Sequence, residues 1–157
     1  MLKPLICNAD IRRIQSKISI TKDELELVFQ SNLKEYKIQQ RCKKIFDNWC
    51  LEQNIDGLFI QIDNGGKCQI GEKVKKKFMG TISGFPDIMI LATKGSLKEE
   101  IFIEFKRISN PSSMQLKKQQ AESHEKLNSI GYKTYLINNT IFFKEILREL
   151  LEKLTIN

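Results

Sequence analysis

The sequence predicts one α/β domain: a mixed sheet flanked by helices. Three observations carry this. Helical and strand-like apolar periods succeed each other in the order α-β-β-β-α-β-α. Turn signals rich in Gly, Asn and Pro separate the strand-like runs. Charged residues sit at the ends of those runs rather than within them.

Residues 1–20 are mixed and weakly periodic, an arm or a short helix ahead of a single domain over 21–157. Thr21 with Glu24 three residues on forms a capping-box pattern. Leu25, Val28, Phe29, Leu33, Tyr36, Cys42, Ile45, Phe46 and Trp49 then follow helical spacing, with Ser31-Asn32 a break between two helices. Leu58 to Ile62 reads as a strand before the turn at Asp63-Asn64-Gly65-Gly66. The apolar run Ile88-Met89-Ile90-Leu91 gives the next strand, and Ile101 to Lys106 follows the turn near Gly95. Residues 115–130 are helical, with Leu116, Ala121, His124, Leu127 and Ile130 on or near one face. Gly131 ends that helix, Tyr132 to Ile137 is a strand, and a last helix carries Phe142, Phe143, Ile146, Leu147, Leu150, Leu151 and Leu154.

At 157 residues the chain is long enough for one real core and too short for two. No apolar run approaches the ~18–20 residues of a membrane span. The N-terminal segment meets Asp10, Arg12 and Arg13 too soon for a secretory signal, so export is not expected. Cys7, Cys42, Cys50 and Cys68 form no CxxC pair and His124 is the single histidine, which removes support for a zinc site. They read as free thiols, with Cys42 and Cys50 packed in a helix. A net charge of +7 favours a polyanionic partner.

The chemistry-bearing feature is a pair of neighbouring strands. Asp87 opens the first, and Glu104-Phe105-Lys106 closes the second. Side chains alternate along a strand, so Glu104 and Lys106 share one face while Phe105 enters the opposite layer. If the strands pair as a hairpin, Asp87 joins them. Two convergent carboxylates suit Mg²⁺ or Mn²⁺, with the Phe105 carbonyl as a further oxygen ligand. Lys106 can then orient a water or stabilise charge on phosphate oxygens. An isolated Glu-x-Lys on a strand is more often an ion pair at a sheet edge; its surroundings here favour the functional reading.

Ser83-Gly84-Phe85-Pro86-Asp87-Ile88-Met89-Ile90, then Ile103-Glu104-Phe105-Lys106-Arg107, then Gln120 with Leu127 and Gly131 behind it, resembles the VRR-NUC (virus-type replication–repair nuclease) family of the PD-(D/E)xK superfamily. The resemblance runs from about Glu35 to Ile137. It implies a restriction-endonuclease-like core with Asp87, Glu104, Lys106, Gln120 and Glu35 as catalytic residues. Asp87, Glu104, Glu35 and the Phe105 carbonyl would hold the metal. Gln119 is one residue out of register with Gln120, and the spacing to Gly131 favours Gln120. Lys117-Lys118 stand near the family's usual serine, a departure that bears on substrate contacts.

The resemblance further implies a structure-selective endonuclease acting on branched DNA such as Holliday junctions. It implies a homodimer. With no secretory signal read, a cytoplasmic location is expected (of the host, if viral or phage). No small-molecule cofactor beyond the metal is expected. Lys73, Lys75, Lys76 and Lys77, with Arg107, Lys117 and Lys118, are the candidate DNA contacts. His124 is read as a packing or surface residue. The final helix carries a stripe wide enough to offer a partner part of its apolar surface; the other reading is that all of it packs on the sheet of its own chain. Two other readings use the same residues: a catalytically silent nucleic-acid-binding domain on this fold, and a nuclease directed at RNA, flaps or strand ends.

Overall fold

The computed structural model describes residues 34–63, 71, 75, 80–106 and 116–156. The expected N-terminal arm, the Thr21 helix start, the Ser31-Asn32 break, Cys7 and Cys68 lie outside the described residues.

Helix α1 (Glu35–Gln53) buries Ile38, Cys42 and Phe46, one residue per turn at i, i+4 and i+8. Asn54 ends it in the left-handed conformation, φ 52°, which asparagine tolerates better than most residues. Strand β1 (Asp56–Gln61) starts two residues before the expected Leu58. Strand β2 (Ile88–Lys94) pairs antiparallel with β1 and with β3 (Leu97–Phe105). β3 starts four residues before Ile101. Its first half alternates half-buried and exposed positions, and the pairing of Lys98 with Thr93 and Glu99 with Ala92 extends the hairpin past its apolar part.

Helix α2 (Lys118–Ser129) crosses over to β4 (Lys133–Ile137), which runs parallel to β3. Helix α3 (Thr140–Lys153) is capped by the Asn139 carboxamide oxygen, which accepts from the Phe142 N–H at 2.9 Å. The sheet order is β1-β2-β3-β4, a mixed sheet flanked by helices.

Period-two alternation decides the two layers. Ile88, Ile90, Ile101, Ile103 and Phe105 meet Ile38, Cys42 and Phe46 of α1 and Ile141, Phe143 and Leu150 of α3 in one continuous core. Each such side chain contributes roughly 1.5–3 kcal/mol by leaving water. The alternate residues face α2, where Phe102 makes edge contacts with Phe85 and Tyr132, both at 5.5 Å. Cys42 is buried and Cys50 half-buried in α1, both free thiols as expected.

Three expectations are corrected. Tyr36 is 51% exposed, because the apolar face of α1 begins at Ile38. Ala121 and Ile130 are exposed, and α2 buries only His124 and Leu127. The α3 stripe is consumed within its own chain: Phe142, Phe143, Ile146, Leu147, Leu150 and Leu154 are buried and Leu151 half-buried. Packed against α1 and the sheet, it offers a partner no broad apolar face. No helix among the described residues is long and apolar enough to cross a membrane.

Candidate active site

The β2–β3 register ends at Ile88↔Ile103, and one step further outward sets Asp87 opposite Glu104. Asp87 Oδ2 accepts a hydrogen bond from the Phe105 N–H at 2.9 Å, which ties the two strand ends together. The Ile62 N–H donates to the Asp87 carbonyl at 2.8 Å, and the Lys106 N–H donates to the Ile137 carbonyl at 2.9 Å. Both ends of the motif are therefore held by neighbouring backbone. Phe105 is buried in the opposite layer, as alternation requires.

Glu104, Lys106 and Gln120 form a closed triangle. Lys106 Nζ donates to Glu104 Oε1 and to Gln120 Oε1, each at 2.9 Å. Gln120 Nε2 donates to the same Glu104 Oε1. Gln120 Oε1 also accepts from the Lys117 N–H at 3.1 Å, fixing the carboxamide at the start of α2. Gln119 faces elsewhere: its Oε1 accepts from Ser83 Oγ at 2.8 Å. The neighbouring glutamines thus have separate roles, and Gln120 is the one at the carboxylate.

Gly84 makes this closeness possible. A Cβ there would lie 2.5 Å from the Gln119 carbonyl carbon and 2.7 Å from the Gln120 nitrogen, and its φ is +78°. Only glycine suits both the left-handed backbone and the approach to the first turn of α2. Ser83 and Gly84 are positioning elements that linear spacing alone does not reveal; the signal for Gly84 is its place three residues before Asp87.

Glu104 is 2% exposed. Burial, then the charge of Asp87, pushes its carboxyl up to about 7, against the hydrogen bond and charge of Lys106; Glu35 adds a smaller upward push. Its Oε1 receives two donors, whereas its Oε2 is buried with no hydrogen-bond partner among the described residues. A buried carboxylate oxygen left so is costly, and a proton or a cation relieves the cost. Beside it stands the Asp87 carboxylate. The donors are hard oxygens, so this pair fits a divalent cation such as Mg²⁺ or Mn²⁺.

Glu35 is not gathered with them. It is the exposed first residue of α1 and reaches Glu104 through charge. Among the described residues, no three His, Cys, Asp or Glu side chains converge as a metal cage. Lys117 and Lys118 are exposed at the start of α2, and Lys75 is exposed. Lys73, Lys76, Lys77 and Arg107 lie outside the described residues.

His124, one turn beyond Gln120 on α2, is buried as a packing residue. Burial and then the charge of Lys106 bring its imidazole down to about 4, and its Nε2 has no hydrogen-bond partner among the described residues. Comparison of the chain with protein-family models, with curated proteins and with solved structures gives no match.

Proposed function

We propose that this chain is a metal-dependent endonuclease of the PD-(D/E)xK type that hydrolyses DNA phosphodiesters, with a preference for branched DNA. The observation that carries the reading is Glu104: a buried carboxylate with one oxygen anchored by Lys106 and Gln120 and the other unpartnered beside Asp87. An ion pair at a sheet edge has no need of a buried oxygen without a partner, or of a second carboxylate set against it. The resemblance of the Gly84–Asp87 and Glu104–Lys106 segments to the VRR-NUC nucleases agrees with this reading.

In this proposal Asp87 and Glu104 hold a divalent cation, with the Phe105 carbonyl and Glu35 as further candidates for its ligation. Such an ion supplies a lowered pKa for an attacking water and neutralises charge on the phosphate. Lys106 has three N–H donors, and two are committed to Glu104 and Gln120. The third remains to hold the attacking water, or a non-bridging phosphate oxygen as the P–O bond breaks. Gln120 holds Lys106 and Glu104 in register. A four-way junction needs two symmetric cuts, so we propose that the enzyme acts as a homodimer with one centre per chain.

Incubation with linear, flap and four-way DNA, with and without Mg²⁺, tests the reading. Wild type should cut branched DNA only with the metal. Asp87→Ala and Glu104→Ala should each abolish cleavage while DNA binding persists. Full activity in EDTA, or wild-type rates in both variants, would overturn it. DNA binding without cleavage under any divalent ion would leave a silent binding domain.

A further inference from the structure

Between α1 and β1 runs a groove of about 780 Å³. Tyr36, Lys37, Arg41, Lys44, Phe59 and Gln61 line it. Lys34, Lys37, Arg41 and Lys44 recur at three- and four-residue steps, which sets four cations along one side of the helix. Over those residues α1 rises about 15 Å. Lys43 is excluded from the set, because it is paired with Asp47 at 2.6 Å. Among the described residues Lys37, Arg41 and Lys44 have no carboxylate partner, and Arg41 Nη1 is buried without a hydrogen bond. Cations without carboxylate partners along one wall of a groove make that wall locally positive, a surface that attracts phosphates.

The same groove carries aromatic surface. Tyr36 is 51% exposed on an otherwise polar turn, and Phe59 forms part of the floor. An aromatic ring beside a row of cations is the pairing that holds unpaired bases and their backbone, since every base has a face to stack. A paired duplex hides those faces.

The Gln61 end of the groove adjoins the strand end that carries Asp87. Gln61 pairs with Ile88, the neighbour of Asp87, and Ile62 bonds the Asp87 carbonyl. Glu35, next to Tyr36, is close enough for its charge to be felt at Glu104. A strand lying along α1 would therefore run into the end of the sheet where Asp87 and Glu104 meet.

We infer that the α1–β1 groove binds an unpaired DNA strand and feeds it to the Asp87–Glu104 centre. Lys37, Arg41 and Lys44 track its phosphates, and Tyr36 stacks a base. This inference rests on the nuclease reading for what lies at the groove's end, but binding in the groove is measured independently of cleavage.

Fluorescence anisotropy in EDTA, across a salt series, would compare a blunt duplex, the same duplex with a single-stranded tail, and the tail alone. Combined Lys37→Ala, Arg41→Ala and Lys44→Ala should weaken binding of the tailed duplex about 100-fold at 0.1 M salt. The salt slope should fall by about 2, since each single-strand phosphate contact contributes about 0.7. The exposed pair alone, Lys37→Ala with Lys44→Ala, should cost about 25-fold and guards against misfolding at half-buried Arg41. Tyr36→Ala should cost about tenfold, with Tyr36→Phe close to wild type. Blunt duplex should be affected much less. Equal losses on blunt and tailed DNA, or an unchanged salt slope, would overturn the groove. Tail binding lost in these variants, from a protein that never cleaves, would sink the nuclease reading and leave the groove standing. Metal-dependent cleavage with unaltered tail binding in the variants would do the reverse.

Discussion

Glu104 and His124 titrate abnormally in opposite senses, and together they hide a pH dependence. The Glu104 carboxyl rises from an ordinary 4.5 to about 7, so the folded state holds its proton more tightly than the unfolded chain. Its contribution is fully present below about 4.5 and is lost as pH rises through 7. The His124 imidazole falls from 6.5 to about 4, so its contribution is present above 6.5 and is lost as pH falls through 4. Between pH 4.5 and 6.5 the two slopes cancel. Melting curves in EDTA should show this once each residue is replaced. Relative to wild type, Glu104→Gln should gain thermal stability as pH rises through that window, and His124→Leu should lose it, by several degrees in each case. Parallel profiles for all three proteins would refute the pairing. Lys106 makes a second test at this scale. Its ammonium is fixed between two acceptors at 2.9 Å, a geometry that a planar guanidinium cannot copy. Lys106→Ala should lower turnover by at least 100-fold, and Lys106→Arg should not restore it. A Lys106→Ala variant with normal turnover and weakened binding would reduce Lys106 to a phosphate contact.

At the level of elements, the site is the join between the β2–β3 hairpin and the first turn of α2. Gly84 sets how close they come. Gly84→Ala would drive a methyl group into the Gln119 and Gln120 backbone while forcing φ +78° on alanine. It should destabilise by about 2–4 kcal/mol, combining overpacking with backbone strain. Because α2 must move to make room, Gln120 should lose Glu104 and cleavage should fall with it. Gly95→Ala is the control. Its φ is +60° but nothing lies within 4 Å of the added carbon, so only about 1 kcal/mol of backbone strain is expected. Denaturant unfolding of both variants checks the contrast, and equal losses would show that close packing on α2 is unimportant.

For the whole molecule, the internal burial of α3 relocates the question of assembly. Any dimer must form through surface other than the apolar stripe of that helix. Leu150 is 2% exposed within the core shared by α1, α3 and the sheet. Leu150→Ala should therefore cost about 2–5 kcal/mol of stability at every protein concentration. Sedimentation of the folded variant should show the oligomeric state of wild type. A shift towards monomer without loss of stability would return the α3 face to the status of an interface.

The order of elements, the hairpin and the Asp87, Glu104 and Lys106 positions were legible because they rest on local rules. A strand's alternation sends Glu104 and Lys106 one way and Phe105 the other, whatever lies around them. Tertiary structure decided what those rules leave open. The early starts of β1 and β3 come from cross-strand pairing, which carries strands through Asp56 and through Lys98-Glu99-Glu100 although these residues are polar. Gln119 and Gln120 have the same chemistry and adjacent positions. Their division of labour follows from the tertiary placement of the first turn of α2, which packs closely on Gly84. The spacing of Lys37, Arg41 and Lys44 is plain in the sequence, yet its bearing on the proposed site depends on β1 completing a groove whose Gln61 end adjoins the Asp87 backbone. The width of the α3 stripe was likewise visible, but not that one chain fills it. Periodicity reports which face of an element is apolar, while packing decides what covers that face and what stands beside it.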